Sequence, residues 1–242
     1  MPHKTGVQPP LDRLDWSPMR SFRGRKRVAV HDPIVEPLWS GLRVLAHVSP
    51  EPGGSGTVVR LAVEGGADLA LELPALAAEL GRSVDCAEAI IDGIITRQVS
   101  LQGIGVAAIP EVRASQSQLL LGNSADLDIR RREPAKGDRG DPGDPEREPQ
   151  EGFVAVDLLR LDGTDLLDVP LLERKRLLES VVSQTELVRV SLHTRPPFEN
   201  WVATWKALGL RGAILKAANS RYRPGARSLE WRVVESVGGR GH

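Results

Sequence analysis

A single cysteine, Cys86, in 242 residues excludes an internal disulfide framework and any zinc site built on thiolates, and it fits a reducing compartment. Its expected role is that of a small buried core residue. Net charge is also missing. Lys plus Arg equal Asp plus Glu at 32 each, so the chain as a whole exerts no pull on a polyanion, and any nucleic-acid contact must come from a local patch. No apolar run approaches the ~20 residues of a membrane helix, and the start, MPHKTGVQPPLDRLDW, has no apolar core of signal-peptide length. A cytoplasmic protein that does not engage a membrane is the expectation, with 40% hydrophobic residues available for a sizeable core.

Apolar residues also all but vanish after Ile129, where the sequence reads RRREPAKGDRGDPGDPEREPQ. Such a stretch cannot bury enough surface to offset its ordering entropy. Residues 123–150 are therefore expected to be a disordered loop inside one domain, because strand-like sequence resumes at Phe153. Residues 1–27 are rich in Pro and Arg and read as an irregular arm. The arm ends in the cluster Arg23, Gly24, Arg25, Lys26, Arg27; Arg23, Arg25, Lys26 and Arg27 are candidate phosphate contacts, set against a solvated tail.

What is present reads as α+β. Arg43–Val48 and Thr57–Val63 are β-like runs around the turn segment Ser49–Gly56, which predicts a hairpin. Leu73–Leu80, with Pro74 in the first turn and Gly81 as a C-terminal cap, predicts a short helix. Ala89–Ile95 reads as a buried strand interrupted by a turn. Pro170 opens a helix with Leu171, Leu178, Val181 and Val182 on one face and Lys175 and Glu179 at the charged i,i+4 spacing. A further helix is expected over Phe198–Leu208, ended by Gly209, with Trp201 and Trp205 as core anchors rather than base-stacking platforms. Gly212–Lys216 and Trp231–Val234 read as strands.

The order of segments from FVAVDLLRLDG (153–163) through LLERKRLLE (171–179), GLRGAILK (209–216) and YRPGARSLEW (222–231) resembles the adenylation domain of ATP-dependent DNA ligases. The chain can be laid collinearly against that family from about Leu14 to Val234. The resemblance implies a nucleotidyltransferase-type domain of antiparallel sheets flanked by helices, covering residues 28–236. It further implies that ATP and Mg²⁺ are cofactors, that DNA or DNA-repair proteins are partners, and that the family role is nick sealing in repair or recombination. It implies an OB-fold after the last motif too; with seven residues after Glu235, none is expected in this sequence. The oligomeric state is left open.

In the family a lysine in K-x-D-G-x-R attacks the α-phosphate of ATP and carries AMP as a phosphoramidate. The matching segment here is EPLWSGLR, 36–43. Leu38 stands at the lysine, and a hydrocarbon cannot attack phosphorus. Ser40 stands at the aspartate, so Gly41 and Arg43 alone keep the pattern. The other motifs depart in the same direction. Ile94 replaces the carboxylate of L-D-G-E in Ile91-Asp92-Gly93-Ile94. Val156 replaces the second aromatic of a segment that keeps Phe153 and Asp157. Arg211 replaces the glutamate of E-G-x-x-x-K, and Val233 and Glu235 stand at the lysines of W-x-K-x-K.

Carboxylates bind Mg²⁺ and lysines hold phosphates, so both halves of the electrostatic arrangement are depleted. By resemblance, Glu36, Arg43, Phe153 and Lys216 are what remains of a nucleotide pocket. No catalytic or metal residue is assigned. The readings left open are a non-catalytic ligase-like binding module, a nucleotidyltransferase using Lys216 as a displaced nucleophile, and a DNA-binding adaptor working through Arg23 to Arg27.

Overall fold

The computed structural model describes residues 16–23, 29–97, 151–197, 205, 210 and 212–235. Two sheets and two helices are built from them, an α+β arrangement as expected. The larger sheet runs β4 (Thr57–Val63), β3 (Leu42–Pro50), β5 (Ala89–Arg97), β6 (Glu151–Leu161), β7 (Thr164–Asp165), with β8 (Val188–Val190) parallel to β6. The smaller runs β1 (Arg20–Phe22), β10 (Arg227–Glu235), β9 (Gly212–Ala217), β2 (Pro33–Pro37). Helices α1 (Pro74–Ser83) and α2 (Leu171–Val181) complete the set.

The predicted hairpin is β3–β4, paired Val44↔Val63 to Pro50↔Thr57. Alternation along β3 divides the core. Val44, Ala46 and Val48 join a cluster with Leu76 and Leu80 of α1 and Leu178 of α2. Leu45 joins Met19, Ile34, Ile90, Leu159, Leu171, Tyr222 and Trp231 on the opposite face, against the smaller sheet. With both faces covered, β5 and β6 are buried almost end to end, which is why apolar residues follow one another in Ala89–Ile91 and Phe153–Val156 instead of alternating. Asp162 (φ 42°) and Gly163 (φ 81°) make the two-residue turn from β6 to β7, the primed geometry that matches strand twist.

Four local expectations change. β5 runs through Gly93 without a turn. A Cβ there would lie 2.0 Å from Cζ of Phe153, so this glycine makes room for a ring from the next strand. Gly81 lies inside α1 rather than ending it; Val84 closes the helix with its N–H on Leu80 O, and pairs with Val182 at the end of α2. Tertiary contact here overrides the local stop signal. Within the expected irregular arm, Arg20–Phe22 form β1 and Met19 is buried, because β10 offers an edge that local sequence cannot reveal.

Finally, Lys175 does not pair with Glu179, which stands at the i,i+4 spacing from it. It is fully buried and turned inward, while Glu179 lies 3.6 Å from His193. Cys86 is half-buried, and burial with nearby carboxylates pushes its thiol up to about 11. Of the expected Phe198–Leu208 helix, Trp205 is helical and buried; its other residues, the 123–150 loop and the first fifteen residues lie outside the described set.

Candidate functional site

The space between the two sheets is lined by charge. From β2, Glu36 places its carboxylate between two ammonium groups: Lys175 of α2 at 2.9 Å and Lys216 of β9 at 3.0 Å. All three side chains are buried, Glu36 at 1% exposure, Lys175 at 0% and Lys216 at 2%. The opposite face of Lys216 meets Trp231, whose ring centroid is 4.3 Å from Nζ. A desolvated cation–π contact of this kind contributes up to about 2 kcal/mol. Ser191 links Glu36 (3.4 Å) to the indole N–H of Trp39, which donates to its hydroxyl at 2.9 Å.

One carboxylate shared by two lysines gives the partners different titrations. Burial raises the Glu36 pKa, but Lys175 and then Lys216 outweigh it and hold the group down at about 2. For Lys216, burial dominates and lowers the amine. Glu36 opposes that, Lys175 adds to it, and the result is about 8. The second cation makes the difference.

A second layer lies on β3, β5 and β6. Arg43 reaches across to Asp92 with Nε and one terminal nitrogen each 2.6 Å from a carboxylate oxygen, and the Tyr222 hydroxyl donates to the same carboxylate at 2.6 Å. Asp92 is fully buried, and the Arg43 side chain is 28% exposed. Burial works against the Arg43 charge, but Asp92 holds its pKa above the ordinary arginine value. Directly opposite Asp92 on β6 is Asp157, gripped by Arg174 of α2 through two bonds of 2.8 Å.

The structure thus brings Glu36, Arg43 and Lys216 to the inter-sheet layer. Phe153 does not join them. Its ring is buried over Gly93 in the cluster under the helices, which corrects its expected place in a nucleotide pocket: β6 turns that side chain to the other face of the sheet. Leu38 is 8% exposed, just beyond β2, and Gly41, retained from the pattern, has φ 150°, a conformation that favours glycine. Arg23 is exposed, past the end of β1; Arg25, Lys26 and Arg27 lie outside the described residues.

Sequence reasoning missed Arg174 and Lys175 as site residues. The signal was present, since Leu171, Arg174, Lys175, Leu178 and Val182 follow the i, i+3, i+4, i+7 period of one helix face. Both cations lie on that inward face.

As arranged, these residues do not fit a metal-bound triphosphate. The carboxylates Asp92 and Asp157 are each held by an arginine, and Glu36 is held by two lysines. Among the described residues no group of three or more His, Cys, Asp or Glu is placed to hold a metal ion.

Comparison with known proteins bears on the fold. The family model described as ATP dependent DNA ligase domain matches residues 140–233. A probable DNA ligase of Streptomyces avermitilis is 35% identical over 88 residues, 35% of this chain and 17% of that protein. A DNA ligase of Aeropyrum pernix is 39% identical over 91 residues, covering 35% and 15%. The multifunctional non-homologous end joining DNA repair protein LigD of Mycobacterium tuberculosis is 35% identical over 85 residues, covering 35% and 11%. The matched stretch therefore spans less than a fifth of each of these relatives. Among solved structures, the ligase domain of M. tuberculosis LigD superposes with a TM-score of 0.60 at 23% identity, over 92% of this chain and 60% of that one. A mycobacterial DNA ligase D complexed with ATP and MES gives 0.59 at 24%, with the same coverage. The chain is thus similar in sequence to the ATP-dependent DNA ligase domain over residues 140–233, and it shares the fold of solved ligase domains over most of its length.

Proposed function

We propose that the chain is a ligase-type adenylation domain that does not form lysyl-AMP and serves as a cytoplasmic binding module associated with DNA in repair or recombination. One observation carries this. Leu38 stands where the family's nucleophile would be, and the two amines that share the inter-sheet layer, Lys175 and Lys216, are both committed to Glu36. An attacking amine must be neutral and in line with the leaving pyrophosphate. Here both are buried and ion-paired, and among the described residues no neighbouring carboxylate stands free to bring in a metal. The named role of the LigD relative, non-homologous end joining DNA repair, supports the DNA setting.

The test is incubation with α-labelled ATP and Mg²⁺ or Mn²⁺, followed by denaturing gel and intact mass, with an ATP thermal shift in parallel. No adduct is expected. A covalent AMP would overturn the reading.

A second reading has its own observation. Lys216 is held down at about 8, so it offers a larger neutral fraction near pH 7.5 than an ordinary lysine. As a displaced nucleophile it would have to leave Glu36 and the Trp231 ring. An adduct lost in Lys216→Met and kept in Lys175→Met would establish it.

A further inference from the structure

The smaller sheet carries an arrangement that its own stability does not explain. β1 runs parallel to β10 with Arg20 directly opposite Arg227 and Ser21 opposite Ser228. Like charges facing each other across adjacent strands oppose the pairing, yet this is where a three-residue strand joins the sheet. Both arginines are exposed. Arg20 is ion-paired with Glu64, and Arg227 makes no ion pair among the described residues. The two guanidinium groups border a cleft of about 300 Å³ that is also lined by Met19, Arg23, Arg43 and Glu64.

Charge in this cleft is one-sided. Among the described residues its lining holds Arg20, Arg43 and Arg227 beside one carboxylate, Glu64, which pairs with Arg20, while the carboxylate behind Arg43 is Asp92, already held in a two-point grip with Tyr222. That grip fixes Arg43 at the cleft, where its side chain keeps 28% exposure. A planar fork of donors recognises the oxygens of a phosphate group better than a point charge does, and a concave wall of low dielectric strengthens the attraction. The strands come from opposite ends of the chain, so the cluster is a product of the fold.

We propose that the cleft between β1, β3 and β10 is a phosphate-binding site, with Arg20 and Arg227 as its principal contacts and Arg43 at its base. The inference rests on the binding-module reading above and deepens it by naming the chemistry recognised: a phosphate group, presented by a nucleic-acid backbone or end, or as a free polyphosphate. Such an anion neutralises the Arg20–Arg227 repulsion and fastens β1 to the sheet.

The experiment measures binding of two probes to the full chain and to the variant Arg20→Gln/Arg227→Gln. One probe is a short fluorescein-labelled duplex with a 5′-phosphate, read by anisotropy across a salt series. The other is inorganic tripolyphosphate, read by calorimetry. The double variant should bind about tenfold or more weakly, and the duplex salt slope should become shallower by about 2, one for each phosphate contact removed. Arg221→Gln, an exposed cation outside the cleft, should leave both unchanged.

Loss of both probes together assigns the site to nucleic-acid phosphate. Binding and loss of tripolyphosphate alone assigns it to a free anion; either result supports the site. No binding of either probe, or undiminished binding by the double variant, overturns it. Arg227→Gln alone, which leaves β1 intact, repeats the test if the double variant melts early. The ATP-adduct measurement does not depend on these arginines, so failure here and failure of the non-adenylating reading are separate results.

Discussion

Asp92 and Asp157 stand directly opposite each other on β5 and β6, both fully buried, and each is held by its own arginine through two hydrogen bonds. Two facing carboxylates in a dry layer are tolerable only because Arg43 and Arg174 arrive from different elements to neutralise them. Removing one partner leaves an uncompensated charge, which costs much more than the pair contributes. Arg174→Met should therefore lower unfolding free energy by about 3–5 kcal/mol, measured by urea titration. Arg43→Met should cost less, since that arginine is partly exposed and Tyr222 still donates to Asp92. Equal losses in the two variants would contradict this account.

The Glu36 cluster makes a contrasting prediction. Glu36→Gln leaves two buried ammonium groups without a counter-charge and should destabilise by about 3–5 kcal/mol. The triple change Glu36→Leu, Lys175→Met, Lys216→Met should be neutral or stabilising, because a well-packed apolar substitute avoids the desolvation cost altogether. A triple variant less stable than Glu36→Gln would show that the ion cluster itself holds the sheets together.

The same cluster sets two pH windows. Glu36 is lowered from 4.5 to about 2 in the folded state. Its contribution is complete above pH 4.5 and is lost as pH falls towards 2, where the unfolded chain binds the proton first. Lys216 is lowered from 10.5 to about 8. Between those values the unfolded state again binds more protons, so stability should rise from pH 8 to 10.5. Thermal melts across both ranges, in the parent and in Lys216→Met, check the sign; the alkaline rise should vanish in the variant.

Gly93 and Phe153 should be coupled. Gly93→Ala places a methyl 2.0 Å from the ring and should cost at least about 1–3 kcal/mol through overpacking. Phe153→Leu opens a cavity on its own and should still relieve the alanine, so the double variant should lose less than the sum of the singles. Additive losses in denaturant titrations would mean that the ring moves aside freely.

Restoring the nucleophile should not restore the chemistry. Leu38→Lys supplies an amine at the position the resemblance gives to the nucleophile, but by the same resemblance Ser40, Ile94 and Arg211 stand in place of other polar groups, and Asp92 and Asp157 remain held by arginines. The expected result is an unmodified intact mass after incubation with ATP and Mg²⁺. An AMP adduct would mean that Leu38 alone separates this chain from an active adenylyltransferase.

Much of the fold was legible where information is local. The β3–β4 hairpin followed from two β-branched runs around a Gly- and Pro-rich turn, and α2 followed from its leucine period. Local signals misled at Gly81 and Gly93, which read as a stop and a turn. In one case helix packing carried α1 onward, and in the other a neighbouring ring required the missing side chain. Phe153 misled for a similar reason: a motif position does not say which face of a sheet receives the ring.

By itself the sequence determined the α+β class, the ligase-like order of segments, and the absence of a lysine at position 38. These depend on composition, period and residue identity, which are written locally. Tertiary structure alone decided that Lys175 and Lys216 share Glu36, that Arg174 and Arg43 each take one of two facing carboxylates, and that Arg20 meets Arg227. Those partners lie tens to hundreds of residues apart in the chain. Side-chain charges say that they can pair, but which ones do is fixed by strand register and by the burial that makes any other arrangement too costly.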